Sequence, residues 1–577
     1  MAVGGAVEDG AANFSRRSRA RTGIASGGGF ALGAGLLSAA AIRGQLMARL
    51  LRALICALML AGCGAAEREL PCGEDRRCLR YAISADIPVL DPHISDLPEA
   101  GVIFRQIYDT LVYRDADSGQ LSPGLATHWE VSQDGLVYTF QLRQDVAFHD
   151  GSAFTAQSVA RNFERIFLPE MGQSLARELL GPLRQFEVLD EFTLRLRLFE
   201  PHAALLDGLA QPYLGIASPE ALMRYDGLRY QYHQSGTGPF MVADYLPGDR
   251  IILRRFERYA TDPSVYDQLA GGEIDRIEFS IIRDSDASPL ELVGNSLDVI
   301  DDVSPAAAQV LRGNSRVMLR PTDIPGLAVQ FIFNTNRLHI AERDVRLALL
   351  LATNRIEISD QVYFNISPVA WAPLSESTGY AHTGYVGEFE FDLVQAQAIL
   401  QANGYADGDD DGILDKFGAP LALTILVPPW GQLPEVAALL QEQWRQIGID
   451  LRVEAAAGKS QLAALIQSGA YDLLPAGIYG RDPVILSRVF LNDSLYAHAR
   501  AQHAALEARL LSAAQEQDPR SRRNQYYEIQ SVLMNEVLLL PIRDFARLRA
   551  ISANVEGLRY DAYGFYPNLF NVSLSSG

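Results

Sequence analysis

Lysine, cysteine and long apolar runs are all scarce in this sequence. Its 577 residues include only two lysines, Lys416 and Lys459, and four cysteines, and the formal net charge is −20. Because contacts to phosphates need clustered cations, this charge argues against nucleic acid as a partner. Beyond residue 62 no stretch reaches eighteen consecutive apolar residues, so the sequence predicts no membrane-spanning helix there.

Motifs for covalent catalysis are also absent from the sequence. It has no H-E-x-x-H zinc motif, no G-x-S-x-G nucleophile turn and no paired cysteine–histidine arrangement. Gly458-Lys459-Ser460 is similar to the end of a phosphate-binding loop, but Val453 stands where that loop requires glycine. We therefore expect a protein that is not an enzyme and needs no cofactor. A hydrolase acting on peptides is the alternative from another class.

The overall composition is that of a large folded protein. Apolar residues make up 48% of the chain and charged residues 21%, with 47 glycines and 28 prolines. These values exclude intrinsic disorder as a description of the whole chain. The length corresponds to three or four domains of roughly 150 residues each.

Residues 47–62 have the pattern of a secretory signal. Arg49 and Arg52 precede a short apolar run that ends in Leu60-Ala61-Gly62-Cys63. The run is too short to span a bilayer and should be removed on export. Residues 1–46 precede this complete signal, and we interpret them as an extension that is either disordered or read from a start codon placed too far upstream.

The end of the signal resembles the lipobox of bacterial lipoproteins, in which cleavage before the cysteine leaves that thiol to carry diacylglycerol. We therefore predict an exported protein in the periplasm or on the cell surface, held to a membrane only by lipid on Cys63. A plain signal peptide with a coincidental cysteine is the alternative.

The remaining cysteines agree with export. Cys56 leaves with the signal, and Cys72 and Cys78 are alone in the mature chain. In an oxidising compartment two such neighbouring thiols most often pair, so we predict a disulfide that stiffens the tether at residues 63–78. A zinc site would need two further ligands, and only His93 is near.

Strand and helix patterns alternate along the rest of the chain, which is typical of α/β proteins. Residues 129–143 predict a hairpin because apolar residues alternate on both sides of the turn at Asp134-Gly135. Helical periodicity predicts helices over residues 102–112, 156–167, 344–355, 393–403, 433–447, 459–468, 499–517 and 520–535. Alternation predicts strands over residues 79–84, 192–199, 251–255, 277–282, 327–334 and 421–427.

Several ordered motifs carry a family resemblance that none of them would support alone. In chain order they are Asp91-Pro92-His93, residues 106–113, Pro123 to Ala126, Trp129 to Ser132, Asp134-Gly135, residues 138–143, residues 146–151, residues 236–240, residues 333–337 and residues 344–348. Together they resemble the family 5 extracellular solute-binding proteins of ABC importers, the oligopeptide, dipeptide and nickel type. The resemblance covers about residues 79–577.

The resemblance implies a two-lobed periplasmic-binding-protein fold of class II, the Venus-flytrap α/β fold, with an extra subdomain on lobe I. Lobe I would comprise residues 79–110, 232–322 and 540–577, the extra subdomain residues 111–231, and lobe II residues 323–539. The hinge would lie at residues 322–326 and 540–542, because a few residues can absorb the backbone change on closure.

The resemblance also implies a function. The protein would be a monomer that encloses a peptide-like or other small polar solute between its lobes and delivers it to an ABC permease and its ATPase. A lipid-anchored sensor of the same fold that feeds a signalling partner is the alternative, because both roles need only lobe closure.

Most of the motif residues are better explained by fold than by ligand. Trp129, Tyr138, Phe140 and Phe148 occupy alternating or hairpin positions and are predicted core residues. The run from Phe148 to Gly151 includes a histidine and an aspartate, which we interpret as satisfying backbone groups of a turn.

One recognition loop departs from the family pattern. Peptide binders of this family commonly have Asp-x-x-Asp-Pro, whose first aspartate holds the ligand's α-ammonium group. Here Tyr479 stands at the first position, followed by Gly480, Arg481, Asp482 and Pro483. The loss of that carboxylate favours an anionic, neutral or sugar-like ligand, unless Asp482 or another acid replaces it. Tyr479, Arg481 and Asp482 are candidate ligand contacts.

Trp371, between Pro368 and Pro373, is a further candidate ligand contact through ring stacking, with a packed loop anchor as the alternative.

An acidic loop fits part of a calcium motif. Asp407, Asp409, Asp411 and Asp415 occupy positions 1, 3, 5 and 9 of a D-x-D-x-D-G pattern. Position 12 is Gly418, where a complete loop has a bidentate glutamate. An exposed acidic turn before the strand at residues 421–427 is the favoured interpretation, and Ca²⁺ binding is the alternative.

Overall fold

The computed structural model describes Cys72 and residues 77–225, 227–259, 272–282, 288–491, 494 and 504–575. The predicted N-terminal extension, signal segment and lipidation site at Cys63 lie outside the described residues. Cys72 and Cys78 are joined by a disulfide, with their Cα atoms 5.7 Å apart. The Cys72 backbone N–H donates to a carboxylate oxygen of Glu278 at 2.7 Å. The disulfide therefore holds Cys72 beside the first sheet.

The first sheet, as far as the described residues show it, has seven strands. The central strand Cys78–Ile83 is parallel to two neighbours, and the other pairings are antiparallel. A core that includes Tyr81, Phe104 and Phe279 fills the space between this sheet and the helix Pro98–Ile107. We call this body the first lobe. In spatial order the strands are Val317–Asp323, Ala546–Ser552, Val299–Ile300, Cys78–Ile83, Arg276–Ile281, Arg250–Arg255 and Phe240–Leu246.

The second sheet is mixed and has five strands among the described residues. Val329–Phe333 runs antiparallel to both of its neighbours, and Ala422–Val427 runs parallel to both of its own. Trp444, Leu423 and Phe331 belong to the core on one side, and Tyr526 and Leu474 to the core on the other. We call this body the second lobe. In spatial order the strands are Asp450–Ala455, Ala422–Val427, Leu473–Ala476, Val329–Phe333 and Leu539–Arg543.

A third, antiparallel sheet forms a separate body that we call the extra subdomain. In the described region its four strands are Ala126–Val131, Val137–Leu142, Thr193–Leu198 and Leu183–Asp190. One face packs on the helix Ala156–Ile166 through a core that includes Phe140, Phe163 and Leu196. The alternation of apolar residues in Val137–Leu142 and Thr193–Leu198 explains why these two strands bury one side only.

Short two-stranded ladders complete the strand pattern. They pair Val112–Arg114 with Leu121–Pro123, Asp415–Lys416 with Ala419–Pro420, Val555–Glu556 with Ser573–Leu574, and Arg559–Tyr560 with Pro567–Asn568.

The α-helices of the described residues are Pro98–Ile107, Ala156–Ile166, Leu175–Leu180, Leu205–Leu209, Pro219–Arg224, Ser288–Val293, Pro305–Leu311, Arg343–Leu351, Arg355–Tyr363, Leu393–Ala402, Leu433–Arg445, Lys459–Ser468, Ile485–Phe490, Ala504–Gln515 and Pro519–Asn535. Short 3₁₀ turns lie at Pro169–Met171, Pro212–Leu214, Gly227–Tyr232 and Thr383–Tyr385. Within this part of the chain, no helix combines the length and the apolar character that crossing a bilayer requires.

The chain crosses between the two lobes at two neighbouring places. One crossing follows the strand that ends at Asp323 and leads to the strand that begins at Val329. The other passes through Asp544 and Phe545, between Leu539–Arg543 and Ala546–Ser552. The second lobe therefore extends to Arg543, four residues past its predicted end at residue 539. The reason is that Leu540 and Pro541 pair with Val329–Phe333 in the second sheet.

Two helices differ from their predicted spans. The first helix begins at Pro98 and ends at Ile107, so it does not include Leu111 and Val112. Those two apolar residues belong to the core of the extra subdomain instead. The helix predicted over residues 344–355 ends at Leu351, because the Asn354 side chain caps a new helix by accepting from the Glu357 N–H at 3.1 Å.

Candidate functional site

A cavity of about 1190 Å³ lies between the two lobes and the extra subdomain. Its walls mix aromatic, aliphatic and charged side chains, which is the usual make-up of a site for a small polar solute. The first lobe contributes Leu97, Glu99, Phe565 and Tyr566; the extra subdomain contributes Glu178, His202, Asp207 and Gln211; and the second lobe contributes Trp430, Ile478, Tyr479, Asp482, Arg488, Arg543 and Phe545.

Tyr479 lies where the lobes meet, in the middle of an aromatic wall. Its ring centroid is 4.9 Å from those of Phe545 and Phe565. Its backbone forms a bridge with Gly326 at the first crossing, where a Cβ on the glycine would lie 2.3 Å from the Ile478 carbonyl oxygen. The glycine therefore allows the two strands to approach closely.

The hydroxyl of Tyr479 remains neutral at physiological pH, because burial raises its pKa to about 12. A neutral phenol can donate or accept a hydrogen bond, but it cannot neutralise an ammonium ion. This position therefore lacks the negative charge that Asp-x-x-Asp-Pro sites provide.

Asp482 lines the cavity, but its carboxylate is already paired. The Arg522 guanidinium donates to both carboxylate oxygens, each at 2.7 Å, and the Val484 N–H donates to one of them at 2.9 Å. Burial opposes ionisation, yet the Arg522 charge outweighs it and the pKa of Asp482 falls below its ordinary value. Asp482 is therefore ionised and neutralised within the second lobe, and the structure gives no support to its replacing the missing acid.

Arg481 does not reach the cavity. Its Nη1 donates to the Ala562 carbonyl oxygen of the first lobe at 3.3 Å. Its guanidinium also covers Gly119 of the neighbouring turn, where a Cβ would lie 2.2 Å from Nη2. The structure places this candidate in a contact between lobes, away from the predicted ligand contact.

Trp371 is also outside the cavity wall. The Arg355 guanidinium lies 4.3 Å from the centre of the Trp371 ring and donates to the carbonyl oxygens of Ala370 and Phe389 at 2.9 and 2.6 Å. These contacts match the alternative interpretation, in which Trp371 anchors its loop.

Most charged groups of the cavity walls have a partner of opposite charge. Glu99 pairs with Arg547 at 3.2 Å. Glu178 pairs with Arg488 at 2.7 Å. Asp207 forms an ion pair with Arg114. The walls therefore present polar atoms to a solute while most of their own charges are compensated.

Arg543, Phe545 and Phe565 also line the cavity, and none of them was predicted from the sequence. Arg543 ends an apolar strand at the second crossing, and Phe545 and Phe565 form the aromatic wall with Tyr479. In the sequence, the only sign of such a role is the single charge of Arg543 after the apolar residues 538–542. That charge becomes part of the cavity wall because the crossing brings this end of the strand to the cavity.

The histidine of the motif at residues 148–151 bonds to backbone groups, but to those of the separate segment at residues 236–238 and not, as the sequence had predicted, to those of its own turn. His149 Nδ1 accepts from the Gly236 N–H at 3.2 Å, and Nε2 donates to the Gly238 carbonyl oxygen at 2.9 Å. Burial lowers the pKa of His149 to about 4, so the ring is neutral at pH 7. The motif holds the return of the chain into the first lobe.

The residues of the acidic loop are not among those that line the cavity. Ligand atoms of Asp407, Asp409 and Asp411 are within 4.8 Å of one another, and all three side chains are exposed. Asp415 is not one of the three, although its carboxylate lies close to Gly408 of the same loop. The carboxylates of Asp407 and Asp411 accept hydrogen bonds from the backbone N–H groups of Gly412 and Ile413 at 3.0 and 2.7 Å. Calcium binding at this loop stays a prediction.

Comparison with characterised proteins places the chain among transport-associated binding proteins. It is 27% identical over 526 residues to the peptide transport periplasmic protein SapA of Salmonella typhimurium, covering 84% of this chain and 90% of the relative. It is 24% identical over 494 residues to the glutathione-binding protein GsiB of Salmonella paratyphi A, covering 82% and 90% respectively.

The fold has solved counterparts. The structure of NikA from Brucella suis in complex with Fe(III)-EDTA matches with a TM-score of 0.78 and 21% identity over 86% of this chain and 100% of that one. The predicted two-lobed α/β fold is confirmed. Residues 120–490 match the family described as bacterial extracellular solute-binding proteins, family 5. The chain belongs to this family of solute-binding proteins.

Proposed function

We propose that this protein is the solute-binding component of an ABC importer, which captures a peptide-like or other small polar solute between its lobes and delivers it to the permease. The observation that carries this proposal is the cavity of about 1190 Å³ lined by both lobes and the extra subdomain. Two short crossings connect the lobes, so a small backbone change at each can open and close the cavity.

Polar contacts accompany the aromatic contact of Tyr479 with Phe565 in holding the second lobe against the rest of the protein. Arg488 pairs with Glu178 at 2.7 Å, and the Ala203 N–H donates to the Ala514 carbonyl oxygen at 3.1 Å. The exposed ion pair contributes about 0–1 kcal/mol, so it can break and re-form without large cost. Solute binding would supply the remaining free energy that favours the closed form.

The nature of the solute follows from the walls. The related SapA and GsiB are named for peptide transport and for glutathione binding, which supports a peptide-like solute. Tyr479 and the paired Asp482 leave no acid at this loop to hold an α-ammonium group. The solute would therefore be held mainly by its other polar groups and by the aromatic wall.

The proposal includes release of the solute unchanged and attachment to a membrane by lipid on Cys63. The export signal and the periplasmic location named for SapA support a position outside the cytoplasm.

The test is native mass spectrometry of the protein purified from its own host. We expect a retained small solute whose mass is the same before and after incubation with the protein, and a protein mass that includes diacylglycerol when it is extracted from membranes. A solute that comes out cleaved would contradict binding without chemistry. A mature chain without lipid would contradict the anchor alone.

A further inference from the structure

Arg543 is a buried cation in the wall of the cavity. It is the last residue of the strand Leu539–Arg543, and only 4% of its surface is exposed. Its backbone pairs with Val329 in the second sheet and forms a bridge with Val369 on the other side. The backbone of Arg543 is therefore held on both sides, which fixes the position of its Cα and the direction of its Cα–Cβ bond.

The contacts of the guanidinium fix its plane but leave one edge unused. Nη1 donates to the Ser367 hydroxyl oxygen at 2.6 Å, and the guanidinium carbon lies 3.9 Å from the centre of the Tyr363 ring. Phe545 lies on another side at 5.1 Å. The buried Nε has no hydrogen-bond partner in the described structure. A buried donor of a charged group without an acceptor is destabilising.

Three other buried arginines have acids or several backbone carbonyl oxygens as partners. Arg547 pairs with Asp301 and Glu99, and Arg522 pairs with Asp482 through two hydrogen bonds. Arg346, which has no acid partner among the described residues, donates to four backbone carbonyl oxygens. Arg543 has only the neutral hydroxyls of Ser367 and Tyr363 as hydrogen-bond acceptors in the same part of the chain, so it differs from all of these.

The nearest acids do not pair with Arg543. Asp544 follows it in the chain, but its carboxylate accepts from the Glu376 N–H at 3.0 Å. Asp302 and Arg543 both line a second cavity of about 220 Å³, but they form no ion pair. No acid of the described residues lies within 4.0 Å of the guanidinium nitrogens. Arg543 also lines the larger cavity, so a solute held there lies next to it.

We infer that Arg543 binds a carboxylate group of the solute. A planar carboxylate can accept two parallel N–H bonds from a guanidinium, and this geometry favours arginine over lysine. Ser367 and Tyr363 hold the guanidinium in place before the solute arrives, which reduces the entropy lost on binding. The aromatic wall of Tyr479, Phe545 and Phe565 lies next to this anchor and can cover the solute's apolar part. This inference rests on the proposed function and adds the chemical class of its solute.

A carboxylate bound at Arg543 also agrees with the presence of Tyr479 where peptide binders of the family have an aspartate. Arg543 supplies a positive charge to the cavity, while the loop supplies a neutral phenol at Tyr479. The other cavity charges without an ion pair among the described residues, Asp96 and Lys459, are both exposed. The buried part of the cavity therefore selects the anionic end of a solute.

The test compares matched acids and amides by isothermal titration. The probes are peptides of two to five residues, each prepared with a free C-terminal carboxylate and with a C-terminal amide, and inorganic phosphate as a second anion. The proteins are the wild type, Arg543→Met, Arg543→Lys, and Arg452→Met as a control, since Arg452 is exposed and pairs with Asp450 on the surface. We expect the wild type and the control to bind acids about 10- to 100-fold more tightly than amides.

Arg543→Met should lose this preference and bind acid and amide equally, and Arg543→Lys should keep only part of it, because lysine cannot offer the planar fork. The melting temperature of Arg543→Met without solute should not fall, since the change removes an uncompensated buried charge. A purely structural arginine would give a lower melting temperature and an unchanged preference, which would overturn the inference.

The outcomes separate the inference from the proposed function. If the wild type binds amides as well as acids, or if Arg543→Met still prefers acids, the inference fails and the proposed function stands. Tight binding of phosphate in place of the carboxylates would also overturn it. If the wild type binds no probe and retains no solute from its host, both fail.

Discussion

At the residue scale, buried titratable groups differ in whether they are charged in the folded protein. Arg522 compensates Asp482, so that acid remains charged in the fold. Asp544 is buried beside the second crossing without such a partner, and burial raises its pKa to about 7. His93 and His149 are buried neutral rings, and burial lowers the pKa of each to about 4. These groups make stability depend on pH in opposite directions.

Replacing Asp544 with asparagine should stabilise the protein at high pH. The folded pKa of about 7 exceeds the ordinary 3.8, so the folded state loses stability as pH rises through this window, by up to a few kcal/mol. Asparagine keeps an acceptor for the Glu376 N–H and carries no charge. We expect Asp544→Asn to melt at a higher temperature than the wild type at pH 8, with the difference disappearing near pH 4.

The matched control for that change is Glu442→Gln, which removes an exposed acid from the helix Leu433–Arg445. It should leave the difference from the wild type the same at both pH values. A melting difference for Asp544→Asn that does not change between pH 4 and pH 8 would contradict the assignment.

Replacing His149 with glutamine should reduce sensitivity to acid. The folded pKa of about 4 lies below the ordinary 6.5, so the stability that the neutral ring provides is complete above pH 6.5 and is lost as pH falls towards 4. Glutamine has no titrating group there. We expect His149→Gln to be less stable than the wild type at pH 7, because it loses ring hydrogen bonds, yet to lose less stability between pH 7 and pH 5. Urea unfolding at the two pH values measures this, and equal losses in both proteins would refute it.

At the element scale, the spacing of apolar residues predicted strands and helices well wherever all of those residues pack in the core of one lobe or subdomain. The strand predicted at residues 192–199 is found at Thr193–Leu198, because its strict alternation matches a sheet with one buried face. The helix predicted to reach Val112 ends at Ile107, because Leu111 and Val112 pack in the core of another body. Such assignments depend on tertiary contacts that periodicity does not contain.

The candidate site was harder to predict than the elements. The sequence identified the loop around Tyr479, but it could not show that Asp482 is paired with Arg522, forty residues later in the chain. It also could not show that Arg481 faces the first lobe. Arg543 was missed because a charge at a strand end becomes a cavity group only when two lobes come together there.

Replacing Gly326 with alanine should disturb the first crossing. A Cβ at this position would lie 2.3 Å from the Ile478 carbonyl oxygen, and both partners are backbone segments that cannot move independently. Overpacking of this kind typically costs about 1–3 kcal/mol. We expect Gly326→Ala to melt several degrees lower and to bind its solute more weakly. Gly458→Ala is the control, because its Cβ would meet nothing within 4 Å and its backbone is extended, so an alanine is not strained there. Equal effects of the two changes would contradict the role of close approach.

At the scale of the whole molecule, function depends on the balance between open and closed lobes. The enclosing contacts include the ion pair of Glu178 and Arg488, whose side chains are 48% and 38% exposed. A pair this exposed contributes little to folding. Its influence should therefore appear in closure, where small free energies change the populations of two states.

Removing this pair should weaken solute binding slightly without affecting folding. We expect Glu178→Gln, Arg488→Gln and the double variant each to raise the Kd by no more than about fivefold, since exposed pairs are worth about 0–1 kcal/mol. The double variant should be no weaker than the weaker single variant, because the two residues act as one contact. High salt should remove the difference from the wild type. Additive losses in the double variant would show that the residues act separately.

The most direct test of the account is small-angle scattering of the full chain with and without the solute recovered from its host, followed by mass analysis of that solute. The account predicts a smaller radius of gyration when the solute is bound, a return to the larger value when it is removed, and a solute of unchanged mass. A radius of gyration that does not change on binding, or a solute that is recovered chemically altered, would contradict it.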